Sequence, residues 1–163
     1  MDNISPTLHV LCGKIAAGKS TFAAKLCRVN GTVLLAEDDW LSALFSGEMS
    51  SPSDYVRCSS KLRRIMGPHV VSLLNGGVSV VLDFAANTLE QRAWMRAIIE
   101  ASGALDQLHV FNASDELCLA RLRERNARGD HPFTVTEEQF LRFSEHFVAP
   151  SLDEGFNIVM HDE

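Results

Sequence analysis

Paired cysteines, long apolar runs, polar aromatic rings and an excess of positive charge are what this chain has little or nothing of. Cysteine occurs four times, at Cys12, Cys27, Cys58 and Cys118, with no C-x-x-C or similar spacing. That speaks against a zinc site and against a disulfide framework. It leaves core packing as the expected role for two or more of them. No apolar run approaches the roughly 18 residues needed to span a bilayer, so no membrane helix is expected. The first residues, MDNISPTLHVLC, lack a basic segment followed by an apolar one. The expectation is an unprocessed, cytoplasmic protein. There are 1 Tyr and 2 Trp, and 21 acidic side chains against 15 Lys and Arg give a net charge of −6. A protein built to grip nucleic acid is normally basic and offers rings for base stacking. Nucleic acid is therefore not the expected partner, and a small substrate, cationic ones included, suits this balance.

What is present is ordinary in bulk and specific in detail. The 163 residues are 46% hydrophobic and 22% charged, as in a single globular domain able to bury its own core. Neither repeat nor linker divides the chain. Apolar runs at 7–13, 32–37, 76–84, 105–113 and 156–161 read as strands. Between them, helices are expected over 19–31, 39–46, 51–74, 88–101, 114–128 and 136–148, with Pro68 kinking or interrupting the third. Thr88 with Gln91, and Thr136 with Gln139, have capping-box spacing, and Ser114 precedes two acids that suit a helix start. Strands that are continuously apolar and alternate with helices imply a parallel sheet covered on both faces.

The most informative stretch is LCGKIAAGKST, residues 11–21. Gly13, Gly18, Lys19 and Ser20 satisfy G-x-x-x-x-G-K-S/T at every position, after a strand and before a helix. Phosphate oxygens need several backbone N–H donors at close range. Glycine lets the backbone wrap closely, and the first helical turn offers unpaired N–H groups and a positive dipole end. Lys19 would reach the β- and γ-phosphates, Ser20 would ligate Mg²⁺, and Thr21 would bond near the α-phosphate. Ala16 and Ala17 contribute loop amides. Lys14 either sits near the phosphates or faces solvent.

Acids mark the rim of the sheet. LLAEDDWL, residues 34–41, brings Asp38 and Asp39 to the end of the second strand, where open α/β sheets bind ligands. Neighbouring strand residues point to opposite sides, so one carboxylate is expected to act as base toward an acceptor hydroxyl. Asp38 is the favoured base, with Asp39 as helix cap or second contact; the alternative is that both only cap the helix at 39–46. VVLDF, residues 80–84, ends on Asp83, placed to hold Mg²⁺ through water or to orient substrate. Asn87 and Thr88 either touch substrate at the same rim or serve the next helix as caps.

Cations gather in RLRERNARGDHPF, residues 121–133. Arg121, Arg125 and Arg128 share one helix face, and Arg123 lies off it. Followed by a Gly-, Asp- and Pro-rich loop, they suit a lid at about 121–136 that brings positive charge to transferring phosphates. Arg125 and Arg128 are the favoured catalytic cations and Arg121 a nucleotide contact. The bland alternative is a solvated face with Glu124 pairing Arg128. Arg57, Lys61 and Arg64 form a second stripe, for which a solvated face is the main expectation. Phe140, Phe143 and Phe147 read as a core stripe. His131 could touch nucleotide, though no site role rests on it.

In this order of parts the chain resembles the small P-loop kinases that include chloramphenicol phosphotransferase, zeta toxins and the kinase domain of polynucleotide kinases, among compact ATP-binding proteins of the AAA-domain kind. The resemblance covers nearly the whole chain, and GKIAAGKST is its strongest element. It implies a three-layer P-loop NTPase fold with a five-stranded parallel sheet in the order 2-3-1-4-5, helices on both faces and a helical lid. It implies ATP- and Mg²⁺-dependent transfer to a hydroxyl. The leading expectation is a metabolite or antibiotic as acceptor, with a monomer or homodimer as the expected state. ATP rather than GTP comes from the resemblance alone; no N-K-x-D motif is present. Family members carry x-D-x-x-R after the second strand. Asp38 matches the acid, but Leu41 stands where the arginine would be, so that contact is either absent or supplied elsewhere, with Arg57 and Arg64 as candidate substitutes. Competing readings are a 5′-hydroxyl polynucleotide kinase, a toxin kinase acting on a nucleotide sugar, and a nucleotide-binding switch with no acceptor.

Overall fold

A computed structural model describes residues 5–162. Five strands, β1 (Thr7–Cys12), β2 (Thr32–Ala36), β3 (Ser79–Asp83), β4 (Leu105–Asn112) and β5 (Ile158–Asp162), form one sheet in the order β2-β3-β1-β4-β5. Every pairing is parallel. Six helices connect them: α1 (Lys19–Leu26), α2 (Glu37–Phe45), α3 (Pro52–Asn75), α4 (Leu89–Ser102), α5 (Asp115–Arg128) and α6 (Glu137–Glu145). This is the α/β P-loop fold and strand order that the sequence led us to expect.

Strand alternation sorts the core into two faces. Leu8, Val10 and Cys12 of β1 and Val80 and Leu82 of β3 join α3 and α4 in the main cluster. Leu11 and Val81 point the other way, onto Ala23, Phe22 and Leu26 of α1. A smaller cluster joins the phosphate-loop residue Ala17 to Cys118 and Leu122 of α5 and Phe140 of α6. Cys12, Cys58 and Cys118 are buried, as expected of packing residues.

Several boundaries differ from the sequence reading. Helix α1 stops at Leu26 rather than continuing to Gly31, because residues 27–32 close in tight turns, with Thr32 donating to the Val29 carbonyl at 3.2 Å. Val29 therefore leaves the Phe22–Leu26 face and lies 62% exposed. Helix α2 begins at Glu37, not Asp39, without any side-chain cap; three acids in its first turn complement the helix dipole instead. Pro68 does not interrupt α3. Proline forfeits one backbone bond, and burial of Met66, Gly67 and Val70 around it outweighs that loss. Strand β3 starts only at Ser79, since Gly76 and Gly77 first close α3. Of the aromatic stripe, Phe140 is buried and Phe147 packs on the core, but Phe143 is 43% exposed and is not a core residue. The Thr88–Gln91 and Thr136–Gln139 capping boxes and the Ser114 cap form as expected.

Arg92 is the largest fully buried side chain. Its guanidinium donates to both Glu154 oxygens, at 2.6 and 3.3 Å, and to the carbonyls of Ala86 and Val148, each at 2.9 Å. It thereby ties α4 to the loop after β3 and to the segment leading into β5. Arg92→Ala leaves a shielded carboxylate and two carbonyls unpaired and is expected to cost about 3–5 kcal/mol of stability. Thermal unfolding of the variant checks this; an unchanged midpoint would refute it.

Candidate active site

The loop between β1 and α1 is shaped by what surrounds it. A Cβ on Gly13 would lie 3.0 Å from the Phe111 Cβ, 3.2 Å from the Phe111 carbonyl oxygen and 3.3 Å from the Ala17 Cβ, so any side chain there would force its neighbours to give way. Asn87 clamps the same residue: its Oδ1 accepts from the Gly13 N–H and its Nδ2 donates to the Gly13 carbonyl, both at 2.9 Å. Ala16 (φ 62°) and Gly18 (φ 105°) take left-handed conformations, curling the backbone into a nest of amides. Gly18 caps α1 without a side chain, so the first N–H groups of the helix stay open to an anion.

Lys19 folds back into this nest, donating to the Gly13 carbonyl and, at 2.8 Å, to the Lys14 carbonyl. Burial lowers its pKa, with the Asp83 carboxylate pulling the other way. The Ser20 hydroxyl donates to Asp83 at 3.0 Å. Burial raises the Asp83 pKa, while Ser20 and Lys19 hold it down. A hydroxyl and a carboxylate so close are hard oxygen donors, and Mg²⁺ is commonly held by such a pair together with substrate phosphates and water. Ser20 and Asp83 thus fit the ion the sequence implied. Lys14 does not face the nest; it pairs with Asp115 at 2.6 Å beneath α5.

The acids separate by environment. In the sheet, Ala36 pairs with Asp83, which sets the first turn of α2 beside the Ser20–Asp83 pair. Asp38 and Asp39 therefore project from a helix, and the strand alternation argued from the sequence does not apply to them. Glu37 is 3% exposed and fully committed. It accepts from the Ser59 hydroxyl at 2.5 Å, the Ala85 N–H at 3.2 Å and the Tyr55 hydroxyl at 3.3 Å, with Arg63 at 3.8 Å. Asp39 is exposed and caps nothing. Asp38 accepts no hydrogen bond from the described residues; its one close partner is the lid residue His131, at 3.6 Å. Its pKa is raised to about 6, first by burial and then by Glu37 and Asp83, against His131 and Arg125.

Glu37 pins α2 to α3 and to the loop after β3, so it sets where Asp38 stands. Glu37→Gln is expected to lower stability by about 1–3 kcal/mol, because an amide brings donors to positions already facing donors. It also removes a charge that raises the Asp38 pKa. The acid limb of any activity that needs Asp38 ionised should then move to lower pH, as a pH–rate profile would show. A limb displaced upward would contradict the arrangement.

Beside the nest lies an open pocket of about 540 Å³, bounded by Lys19, Ser20, Phe22, Phe111, Arg121 and His161, among others. The Phe111 and His161 rings stack at 4.7 Å, and His109, its pKa pushed down to about 4 by burial, touches His161 from below at 2.9 Å. This gives the pocket a flat aromatic wall. Arg121, Arg125 and Arg128 all line it, but not equally. Arg121 donates to the Ala17 carbonyl at 3.3 Å. Arg125 has a buried Nε with no partner among the described residues; burial lowers its pKa, opposed first by the Asp38 carboxylate and then by Asp130. Arg128 is exposed and lies 3.5 Å from Asp130, not paired with Glu124. Arg123 lies off this face and ties α5 to α6 through Glu137 at 2.6 Å.

Comparison with known proteins agrees with this geometry. The family described as AAA domain matches residues 8–150. The chain belongs to that family. A search of curated proteins found no match. Among solved structures, a putative kinase from Chloroflexus aurantiacus J-10-fl is 19% identical with a TM-score of 0.76, covering 97% of this chain and 88% of its own. The Mycobacterium tuberculosis APS kinase CysC, solved with AMPPNP and APS, is 17% identical (TM-score 0.65; 97% and 88% covered). Chaetomium thermophilum Kti12, solved with ADP-AlF3, is 12% identical (TM-score 0.71; 95% and 88% covered). At these identities the AAA-domain protein shares a fold with kinases. No helix of it is long and apolar enough to cross a membrane among the described residues.

The structure brings Gly13, Ala16, Ala17, Gly18, Lys19, Ser20 and Asp83 together as the sequence suggested, with Asp38 and Arg125 facing them. It does not bring in the Arg57, Lys61 and Arg64 stripe, all three of which are exposed. Arg57 pairs with Asp54 at 2.7 Å. Any substitute for a family arginine at Leu41 is therefore neither Arg57 nor Arg64; Arg63 is the α3 cation that turns inward, donating to the Ala85 carbonyl at 3.3 Å and lying 5.0 Å from the Trp94 ring. Thr88 serves only as cap, and Asn87 grips the loop. Glu37, Arg63, Phe111 and His161 were not singled out from the sequence. An acid before two other acids, an arginine between a leucine and another arginine, and aromatic residues inside strands carry no local signal of their partners.

Proposed function

We propose that this AAA-domain protein is an ATP- and Mg²⁺-dependent phosphotransferase that moves the γ-phosphoryl group to a hydroxyl of a small molecule, a metabolite or an antibiotic. The observation that carries the reading is Asp38. Its carboxylate takes no hydrogen bond from the described residues, is 46% exposed, and has a pKa raised to about 6 in the company of Asp83 and Arg125. Buried acids that only hold a fold together are saturated with donors, as Glu37 is. An acid that is open to solvent and not tied into the fold, within reach of the charges of Lys19, Asp83 and Arg125, is suited to take a proton during reaction.

In this reading the amides of Gly13, Ala16, Ala17 and Gly18 wrap the phosphates, and Thr21 and Arg121 hold the nucleotide. Lys19 neutralises the β- and γ-phosphate oxygens. Ser20 and Asp83 hold Mg²⁺, which when bound screens the phosphate charge. Asp38 accepts the proton of the acceptor hydroxyl as its oxygen bonds to the γ-phosphorus and the bond to ADP breaks. Arg125, joined by Arg128 from the lid, stabilises charge on the transferring group. The partners are a nucleotide and a small acceptor, with a cytoplasmic setting and a monomeric or homodimeric state proposed alongside. The acidic surface argues against a nucleic acid acceptor.

A second reading, a nucleotide-binding switch that hydrolyses ATP without an acceptor, draws on the fold shared with Kti12. One experiment separates the two. Purified protein, Mg²⁺ and γ-labelled ATP are incubated with pooled antibiotics, nucleosides, sugars, nucleotide sugars and 5′-hydroxyl oligonucleotides. A labelled product that vanishes with Lys19→Ala supports the kinase. Slow phosphate release alone, across the panel, supports the switch.

A further inference from the structure

The lid touches the α2 acids at one place. His131 Nε2 stands 3.6 Å from the Asp38 Oδ2. The other end of the ring is fixed: Nδ1 lies 2.9 Å from the Phe133 carbonyl and 3.2 Å from the Phe133 N–H. With its proton on Nδ1 the ring donates to that carbonyl. With its proton on Nε2 it accepts from that N–H and turns a donor toward Asp38. Phe133 is in turn packed against the main core, and Pro132 between them stiffens the link. The segment is held at both ends of the lid, by Arg123 on Glu137 and by Asn126 on the Val135 carbonyl at 2.8 Å. A ring so fixed, with Nε2 3.6 Å from a carboxylate that accepts no hydrogen bond from the described residues, is more than a surface histidine requires. At 3.6 Å the contact is too long for a hydrogen bond. Catalytic contacts are often this long before ligands bind and shorten on closure.

We propose that His131 is a positioning residue for Asp38: its Nε2–H holds one carboxylate oxygen when the lid closes over nucleotide, leaving the other oxygen aimed at the acceptor hydroxyl. This rests on the transfer reading above. The base is then in its working orientation only with the lid down, which restrains premature reaction with water. Among the described residues, His131 is the side chain in an ion-pair contact with Asp38. Glu37 and Asp83 repel Asp38, while Lys19 is held by the loop carbonyls and Arg125 faces the nucleotide pocket.

Two measurements on the full chain test it. The first needs no acceptor: ring-nitrogen NMR of ¹⁵N-histidine-labelled protein with Mg²⁺ and AMPPNP. His131 is expected to show a hydrogen-bonded Nε2–H that is lost in Asp38→Ala. Identical His131 ring spectra in the two proteins would overturn the proposal. The second uses the acceptor found by the panel. His131→Ala should lower kcat roughly 10- to 100-fold, the usual effect of losing a group that orients a reacting side chain, with the KM for ATP nearly unchanged. His131→Gln, whose amide can donate from a similar distance, should recover most of the loss. Wild-type turnover in His131→Ala, or a His131→Gln no better than alanine, would overturn it. Absence of any transfer product would sink the transfer reading, while the NMR comparison would still decide whether His131 holds Asp38.

Discussion

Lys19→Ala is expected to lower phosphoryl transfer by roughly 10³–10⁵-fold, the range for removing a cation from a transferring phosphoryl group. The ammonium is held in the nest by the carbonyls of Gly13 and Lys14. Those carbonyls aim it at the space enclosed by the loop, where β- and γ-phosphate oxygens would replace them as partners. The loss should not come from unfolding. Burial lowers the Lys19 pKa, so the folded state disfavours the charged form and gains nothing from holding it. The thermal midpoint of the variant should stay within a few degrees of wild type. Lys19→Arg should be nearly as inactive, because a planar guanidinium cannot occupy a point-charge position between two carbonyls. Transfer by Lys19→Ala within tenfold of wild type, measured with γ-labelled ATP, would remove the basis for placing phosphates in this loop.

Asp38→Asn is expected to reduce transfer by roughly 10²–10⁴-fold, the usual weight of a positioned base, with little change in ATP affinity. Its pH signature is specific. Only the ionised carboxylate accepts a proton, and the Asp38 pKa is raised from 3.8 to about 6. The wild-type rate should therefore rise with pH through about 6, and the residual rate of Asp38→Asn should lack that limb. Stability should move the opposite way from activity. A carboxyl whose folded pKa exceeds its unfolded value costs stability above the folded pKa, and the cost disappears as pH falls from about 6 to 3.8. Asp38→Asn should then unfold at a slightly higher temperature at neutral pH; the gain is small because the side chain is 46% exposed and screened by solvent. Full activity in Asp38→Asn would transfer the role of base to another group, and Asp39 is too exposed to take it.

How much of this was legible in the sequence follows from how far each partner lies along the chain. The phosphate loop was legible because its parts are contiguous: Gly13, Gly18, Lys19 and Ser20 need only the local turn and the helix behind it. The parallel sheet followed from alternating elements, and its strand order from the resemblance alone. Capping boxes at Thr88 and Thr136 were legible for the same reason, since cap and partner are three residues apart.

What the sequence could not rank was three consecutive acids. Glu37, Asp38 and Asp39 are chemically alike on the page, and the start of α2 at Glu37 changed which way each one points. Only packing against Tyr55, Ser59, Arg63 and Ala85 made Glu37 a buried hub and left Asp38 without a hydrogen bond from the described residues. The same holds for the cations. Periodicity marks Arg57, Lys61 and Arg64 as a stripe, yet the inward residue is Arg63, because α3 turns its other side to α4 and Trp94. Arg92 looks like any helix-surface arginine until the β5 approach brings Glu154 onto it from 62 residues away. Local order was therefore determined by the sequence itself, through turn chemistry and helix starts that depend on near neighbours. Which charge is free to react, and which is tied into the fold, was decided by the tertiary structure, because burial and distant donors set the energy of each charge.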